Sequence, residues 1–231
     1  MTAAVCGGQE LTADFLTNAL ASHLGGAGIT AVAASPVGTG QVSDSYRLSL
    51  TYDGPVDLPP TLIAKVPAAD AASRTAARAF RTYEIEASFY SQLAAGLPVA
   101  LARCYYAAYE AGPDEYVVLL EDLAPALPGD QLAGLHPDDA AAAIRELAAL
   151  HAAGWEAAEL AALPWLNRSG PDAAALLAAV LTDLYPRFRE RYAGRLEPGT
   201  LGLIEDFLPQ AASYLKASNE PRTIVHGRLP S

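Results

Sequence analysis

The chain has 231 residues, enough for one or two domains with a sizeable core. Hydrophobic residues make up 52% and charged residues 18%, which excludes a disordered chain. The formal net charge of −11 excludes a general nucleic-acid binder, because phosphate contacts need clustered Lys and Arg.

The opening segment has neither the cationic start nor the apolar run of a signal peptide. Thr12 to Leu24 predicts a helix capped by Thr12, with Leu16, Leu20 and Leu24 on one face and Gly25-Gly26 at its end. The longest uncharged stretch, Phe15 to Ser43, is broken by four glycines and Pro36 before Gly40, so no membrane span is expected. Thr30 to Val37, Tyr46 to Tyr52 and Thr61 to Pro67 read as three strands, the second alternating with Tyr46, Leu48, Leu50 and Tyr52 on one face. Ala71 to Ala95 predicts one long helix. Cys104 to Tyr109 and Tyr116 to Leu120 read as two more strands around Gly112-Pro113-Asp114. From His136 onward the pattern is helical, with a helix start at Pro137-Asp138-Asp139 and further helices over Pro171–Tyr192 and about Pro198–Ala217. Cys6 and Cys104 are the only cysteines, far apart, so neither a disulfide framework nor a zinc site is expected, and a cytoplasmic location is.

Three features carry candidate chemistry. Gly38-Thr-Gly40-Gln-Val-Ser43-Asp-Ser45 lies between two strands, where glycines let backbone approach a phosphate and Ser43 and Ser45 can bind its oxygens. An ordinary glycine hairpin reads the same way. Lys65, one of only two lysines with Lys216, sits inside the apolar strand Leu62-Ile-Ala-Lys65-Val, where its charge requires either a partner or an outward orientation. Glu86 lies close to the apolar face marked by Phe89, Tyr90 and Leu93, so it either points inward or joins the solvated Arg81 and Glu84. In order, a glycine hairpin, a strand lysine, a helix glutamate and two further strands make the pattern of a protein-kinase-like nucleotide lobe. The expected fold is α+β: a small antiparallel five-stranded lobe with one main helix, and an incomplete, mostly α-helical second lobe. The expected division is 1–29 as an N-terminal helical extension, 30–123 as the nucleotide-binding lobe and 124–231 as the helical lobe.

The run Pro36-Val-Gly-Thr-Gly-Gln-Val-Ser-Asp-Ser-Tyr-Arg resembles the bacterial ecdysteroid-kinase-like, or choline-kinase-like, branch of the aminoglycoside phosphotransferase superfamily. Glu86-Ala-Ser-Phe-Tyr, Val118-Leu-Leu-Glu-Asp-Leu, Gly129-Asp-Gln and Leu147-Ala-Ala-Leu-His151 fit the same family, and the likeness runs from about Glu10 to Gly227. The resemblance implies ATP and magnesium, and transfer of the γ-phosphoryl group to a hydroxyl of a small molecule. It assigns Lys65 to the phosphates, Glu86 to Lys65, and Leu120 to Leu123 to a hinge beside the adenine, with Glu121 and Asp122 solvated there. It makes His151 a core histidine, and Trp155 and Trp165 packing residues.

The sequence departs from the family at its catalytic loop. Thr223-Ile-Val-His226-Gly227 matches the approach, but Arg228 stands where the resemblance calls for the catalytic Asp. Arginine stays protonated and offers no acceptor, so it cannot serve as a base. The Asn and Asp that would hold magnesium are also missing. Two readings follow. One is a fragment of a small-molecule kinase, inactive as it stands, from a truncated gene or a frameshift. The other is a catalytically dead kinase-like protein that binds a nucleotide or a partner.

Overall fold

A computed structural model describes residues 10–38, 42–111, 115–127, 129–130, 133–166, 171–216 and 221–225. They fall into two compact units, one drawn from Met1–Ala153 with Ile224–Ser231, the other from Gly154–Thr223.

In the first unit, the Thr12 hydroxyl accepts from the Phe15 N–H at 3.2 Å and starts α1 (Ala13–Ala19). The predicted single helix is in fact two, because the turn tightens at Leu20, where the His23 N–H bonds the Leu20 carbonyl three residues back. α2 (Ala21–Leu24) follows and ends at Gly25, whose φ of 58° is the left-handed conformation glycine tolerates.

Five strands follow: β1 (Ile29–Pro36), β2 (Ser43–Tyr52), β3 (Thr61–Pro67), β4 (Cys104–Glu110) and β5 (Glu115–Glu121). They form one antiparallel sheet in the order β1-β2-β3-β5-β4. Alternation divides the sheet into two faces. Leu48, Leu50, Leu62, Ala64, Val66, Val117 and Leu119 point to one, where Leu11, Leu16, Leu20 and Leu24 cover them. The N-terminal helices therefore close the sheet's main core. Tyr116, Val118 and Leu120 point to the other face, where Ala77, Tyr83 and Ala87 pack on them.

The single helix predicted over Ala71–Ala95 is also divided, into α3 (Ala71–Ala79) and α4 (Thr82–Gln92). The break lies at Arg81, which adopts φ 53° and whose guanidinium grips Glu84 through two hydrogen bonds of 2.7 and 2.8 Å. That contact holds a left-handed conformation unfavourable for a non-glycine residue. α5 (Pro137–Gly154) completes this unit; its Glu146 carboxylate accepts from the Ala100 N–H at 2.7 Å.

The second unit is helical: α6 (Ala158–Ala161), α7 (Pro171–Tyr192), α8 (Pro198–Phe207) and α9 (Ala211–Lys216). The helix predicted over Pro198–Ala217 is interrupted by a 3-10 turn at Leu208–Gln210, where Pro209 has no N–H to continue the ladder. Trp165 is buried, but Trp155, expected to pack, is 58% exposed at the turn leaving α5, where Glu156 adopts φ 48°. In this unit Leu176, Leu177, Leu184, Leu203 and Phe207 are exposed, while Val180 and Leu208 are partly covered. Among the described residues no helix is long and apolar enough to cross a membrane.

Candidate functional site

Strand register decides which of the candidate residues share a surface. Ser45 lies opposite Lys65, and Ser43 opposite Pro67, in the β2–β3 ladder. Directly paired residues point to the same side, so Ser43, Ser45 and Lys65 share one face. It is the face covered by α4, because Lys65 also pairs with Val118 of β5. Gly38, at φ 71°, has open space where a Cβ would stand, and the Val37 N–H closes the hairpin on the Ser45 carbonyl at 2.9 Å. Gly40 lies outside the described residues, as do His226 and Arg228.

Lys65 does not point away from the protein. Its ammonium donates to Glu86 Oε1, and both side chains are about three-quarters covered. Glu86 reaches it because α4 presents Tyr83, Glu86, Ala87 and Tyr90 toward the sheet at helical spacing. The second carboxylate oxygen, Oε2, accepts from the hydroxyl of fully buried Tyr116 at 2.6 Å. Burial, and then the Glu86 charge, push the Tyr116 phenol well above its ordinary value, so it stays a donor. Burial likewise pushes Tyr90 up to about 12 and the free thiol of Cys104 up to about 11.

The two tyrosines were not legible as site residues. Tyr83 stacks on Tyr116 with ring centroids 4.7 Å apart and planes at 16°. Its hydroxyl accepts from the Ala68 N–H at 3.2 Å and donates to the Val42 carbonyl, joining α4 to the end of β3 and to the glycine hairpin. The available signal was the Tyr83, Glu86, Tyr90 spacing, which marks one helix face.

At the far end of the same sheet face the expectation for Asp122 fails. It is not solvated: its side chain is 5% exposed and held by Arg47 through hydrogen bonds of 2.7 and 3.1 Å. Arg47 stands on β2 and Asp122 just past β5, so the pair spans β3. Glu121 Oε2 accepts from the Arg103 N–H at 3.1 Å, and Leu123 is 56% exposed. His151 is half-buried on α5.

The Arg47 hydrogen bonds hold the Asp122 carboxyl below its ordinary value. A depressed carboxyl stabilises the fold fully above its unfolded value, about 4, and loses that contribution as pH falls through the folded value. Denaturation midpoints of wild type and Asp122→Asn should therefore differ clearly at neutral pH and converge in acid, and an equal gap at both would refute the assignment.

Together the described residues of the site offer the Lys65 ammonium and the Ser43 and Ser45 hydroxyls on one sheet face, with open space beside Gly38. That donor set suits an anion such as phosphate. Among the described residues no group of three His, Cys, Asp or Glu could hold a metal ion.

The model of the ecdysteroid kinase-like family matches residues 38–164, which include the glycine hairpin, Lys65, Glu86 and the end of β5. No curated protein matches the chain. The family match covers more than half of the 231 residues and agrees with the α+β fold and its antiparallel sheet, and the chain therefore belongs to the ecdysteroid kinase-like family, within the protein-kinase-like superfamily.

Proposed function

We propose that the chain binds the phosphates of ATP with Lys65, Gly38, Gly40, Ser43 and Ser45, and that Glu86 holds Lys65 in place. In this reading residues 30–123 are the nucleotide-binding part, and the adenine lies along Glu121–Leu123. The chemistry served is transfer of the γ-phosphoryl group to a hydroxyl of a small molecule, in the cytoplasm. The observation that supports it most is the Lys65–Glu86 pair on the face that also carries Ser43 and Ser45. An ammonium that keeps about a quarter of its side chain exposed and has one oxygen partner retains donors for a second anion. Phosphoryl transfer rests on positioning and charge neutralisation, and magnesium carried by the phosphates would supply the rest of that charge.

A second reading keeps the nucleotide and drops the transfer. Arg228 follows His226-Gly227, and a guanidinium accepts no proton from a hydroxyl nucleophile.

Calorimetric titration of the chain with ATP and magnesium tests both. Saturable binding is expected, weakened about tenfold or more in Lys65→Ala, since a charge-assisted contact to phosphate contributes about 1.5–3 kcal/mol. Adenosine, lacking phosphates, should bind both proteins equally. Equal ATP affinity in Lys65→Ala would overturn the assignment. Phosphate release in the same samples, with a panel of hydroxylated small molecules, separates a working phosphotransferase from a nucleotide-binding relative.

A further inference from the structure

Glu86 has two carboxylate oxygens and a side chain with three rotatable bonds, so an ion pair to Lys65 alone would leave it free to turn. In this fold each oxygen has its own partner: Lys65 on Oε1 and the Tyr116 hydroxyl on Oε2. The phenol comes from a rigid place. Tyr116 is fully buried on β5, between β3 and β4 in the sheet, and its ring lies flat against Tyr83. Tyr83 is in turn fixed at its own hydroxyl, which bridges Ala68 and Val42. One stack of two rings thus connects the glycine hairpin, the end of β3, α4 and the Lys65–Glu86 pair.

We propose that Tyr116 and Tyr83 are positioning residues of this site: the Tyr116 hydroxyl locks Glu86 toward Lys65, and the Tyr83 hydroxyl ties α4 to the glycine hairpin. The proposal rests on the phosphate-binding reading of Lys65 and deepens it. Neither tyrosine touches the ligand. Each acts through a residue that does, and its effect falls on the phosphate part of the ligand, not on the nucleoside.

Geometry separates this role from simple core filling. Phenylalanine at 116 preserves the ring, its burial and its stacking on Tyr83, and removes only the bond to Oε2. A packing role predicts little change from that substitution. A positioning role predicts a freer Glu86 and a less firmly held Lys65. α4 also carries Tyr90, 5.3 Å from Phe89 in an edge-on ring contact, but Tyr90 makes no bond to Glu86 that could replace the Tyr116 hydroxyl.

Two measurements on the full chain decide it. The first needs no nucleotide. Lys65 and Lys216 are the only lysines, so acylation by a small amine-reactive reagent, followed by peptide mass spectrometry, reads Lys65 with Lys216 as internal reference. Tyr116→Phe should speed Lys65 labelling severalfold, toward the rate in Glu86→Ala, and leave Lys216 unchanged. Tyr83→Phe should leave Lys65 labelling at the wild-type rate, because its bonds go to Val42 and Ala68. The second compares ADP with magnesium against adenosine. Both tyrosine variants should weaken ADP by about tenfold, within the range found for residues that act through a ligand's neighbours, and leave adenosine unchanged. If Tyr116→Phe leaves Lys65 labelling at the wild-type rate, the proposal is overturned. If wild type binds neither ADP nor adenosine, the phosphate-binding reading fails, while labelling still decides whether Tyr116 locks Glu86. Should Tyr116→Phe not fold, NMR on wild type stands in. A slowly exchanging Tyr116 hydroxyl proton with a through-space contact to Glu86 is expected, and its absence overturns the lock.

Discussion

Leu20→Ala is expected to destabilise the first unit by about 2–5 kcal/mol, the range for removing a leucine side chain from a packed core. Leu20 is 0% exposed and lies at the join of α1 and α2, against the sheet face lined by Leu48, Leu62 and Leu119. A helix merely attached to the domain would give a small effect, as Leu203→Ala should: Leu203 is 70% exposed, and such positions shift stability by about 0.5 kcal/mol or less. Urea denaturation followed by circular dichroism and tyrosine signals checks both. Trp155 and Trp165 both belong to the second unit and are the wrong probes for this one. A Leu20→Ala loss below about 1 kcal/mol would show that the N-terminal helices are dispensable to the sheet.

Glu86→Ala should be the most damaging single change at the site. It strands the Tyr116 hydroxyl, fully buried, without its acceptor, and an unsatisfied buried polar group costs about 1–3 kcal/mol. The Lys65 ammonium contributes less to stability, since a partly exposed ion pair is worth only about 0–1 kcal/mol. Binding should suffer more than folding: without its carboxylate partner Lys65 is no longer held toward the phosphates, and ATP affinity should fall about tenfold or more. The two effects can be separated. Glu86→Leu combined with Tyr116→Phe removes the carboxylate and the buried hydroxyl together, leaves only the partly exposed Lys65 ammonium without its partner, and should recover much of the stability without recovering nucleotide binding. Recovery of both would place the site elsewhere.

Much of the fold was legible because strand alternation and turn residues are local signals. The alternation from Tyr46 to Tyr52 marked β2 and its two faces, and the apolar run Leu62-Ile-Ala-Lys65-Val marked β3, while the direction of Lys65 stayed open until the register with Ser45 and the contact with Glu86 were known. Helix breaks were not legible. At Arg81 and Leu20 no glycine or proline marks the interruption, and tertiary contacts hold it: the Arg81–Glu84 grip in one case, burial of Leu20 in the other. At the site, Lys65 and Glu86 stood out as charges in apolar settings. Tyr116 did not, because a tyrosine in an apolar strand looks like any core aromatic until the partner of its hydroxyl is known. Asp122 was misplaced for the same reason: its cover comes from Arg47, 75 positions away.

The strand order has a consequence for how the chain reaches this state. β1, β2 and β3 are neighbours in both sequence and space, and so are β4 and β5. Each group can assemble from short-range contacts. Laying β5 beside β3 is different: it pairs Lys65 with Val118, 53 positions apart, and must close a loop that contains α3 and α4. Loop-closure entropy is lost before those contacts form, so this docking is expected to be the slow, late step. Lys65, Glu86 and Tyr116 come from the first strand group, the intervening helix and the second strand group in turn. They meet only when that step is complete, so a ligand that needs all three cannot template the earlier ones. It acts instead as a latch on the finished sheet, slowing its opening and leaving the rate of its assembly unchanged.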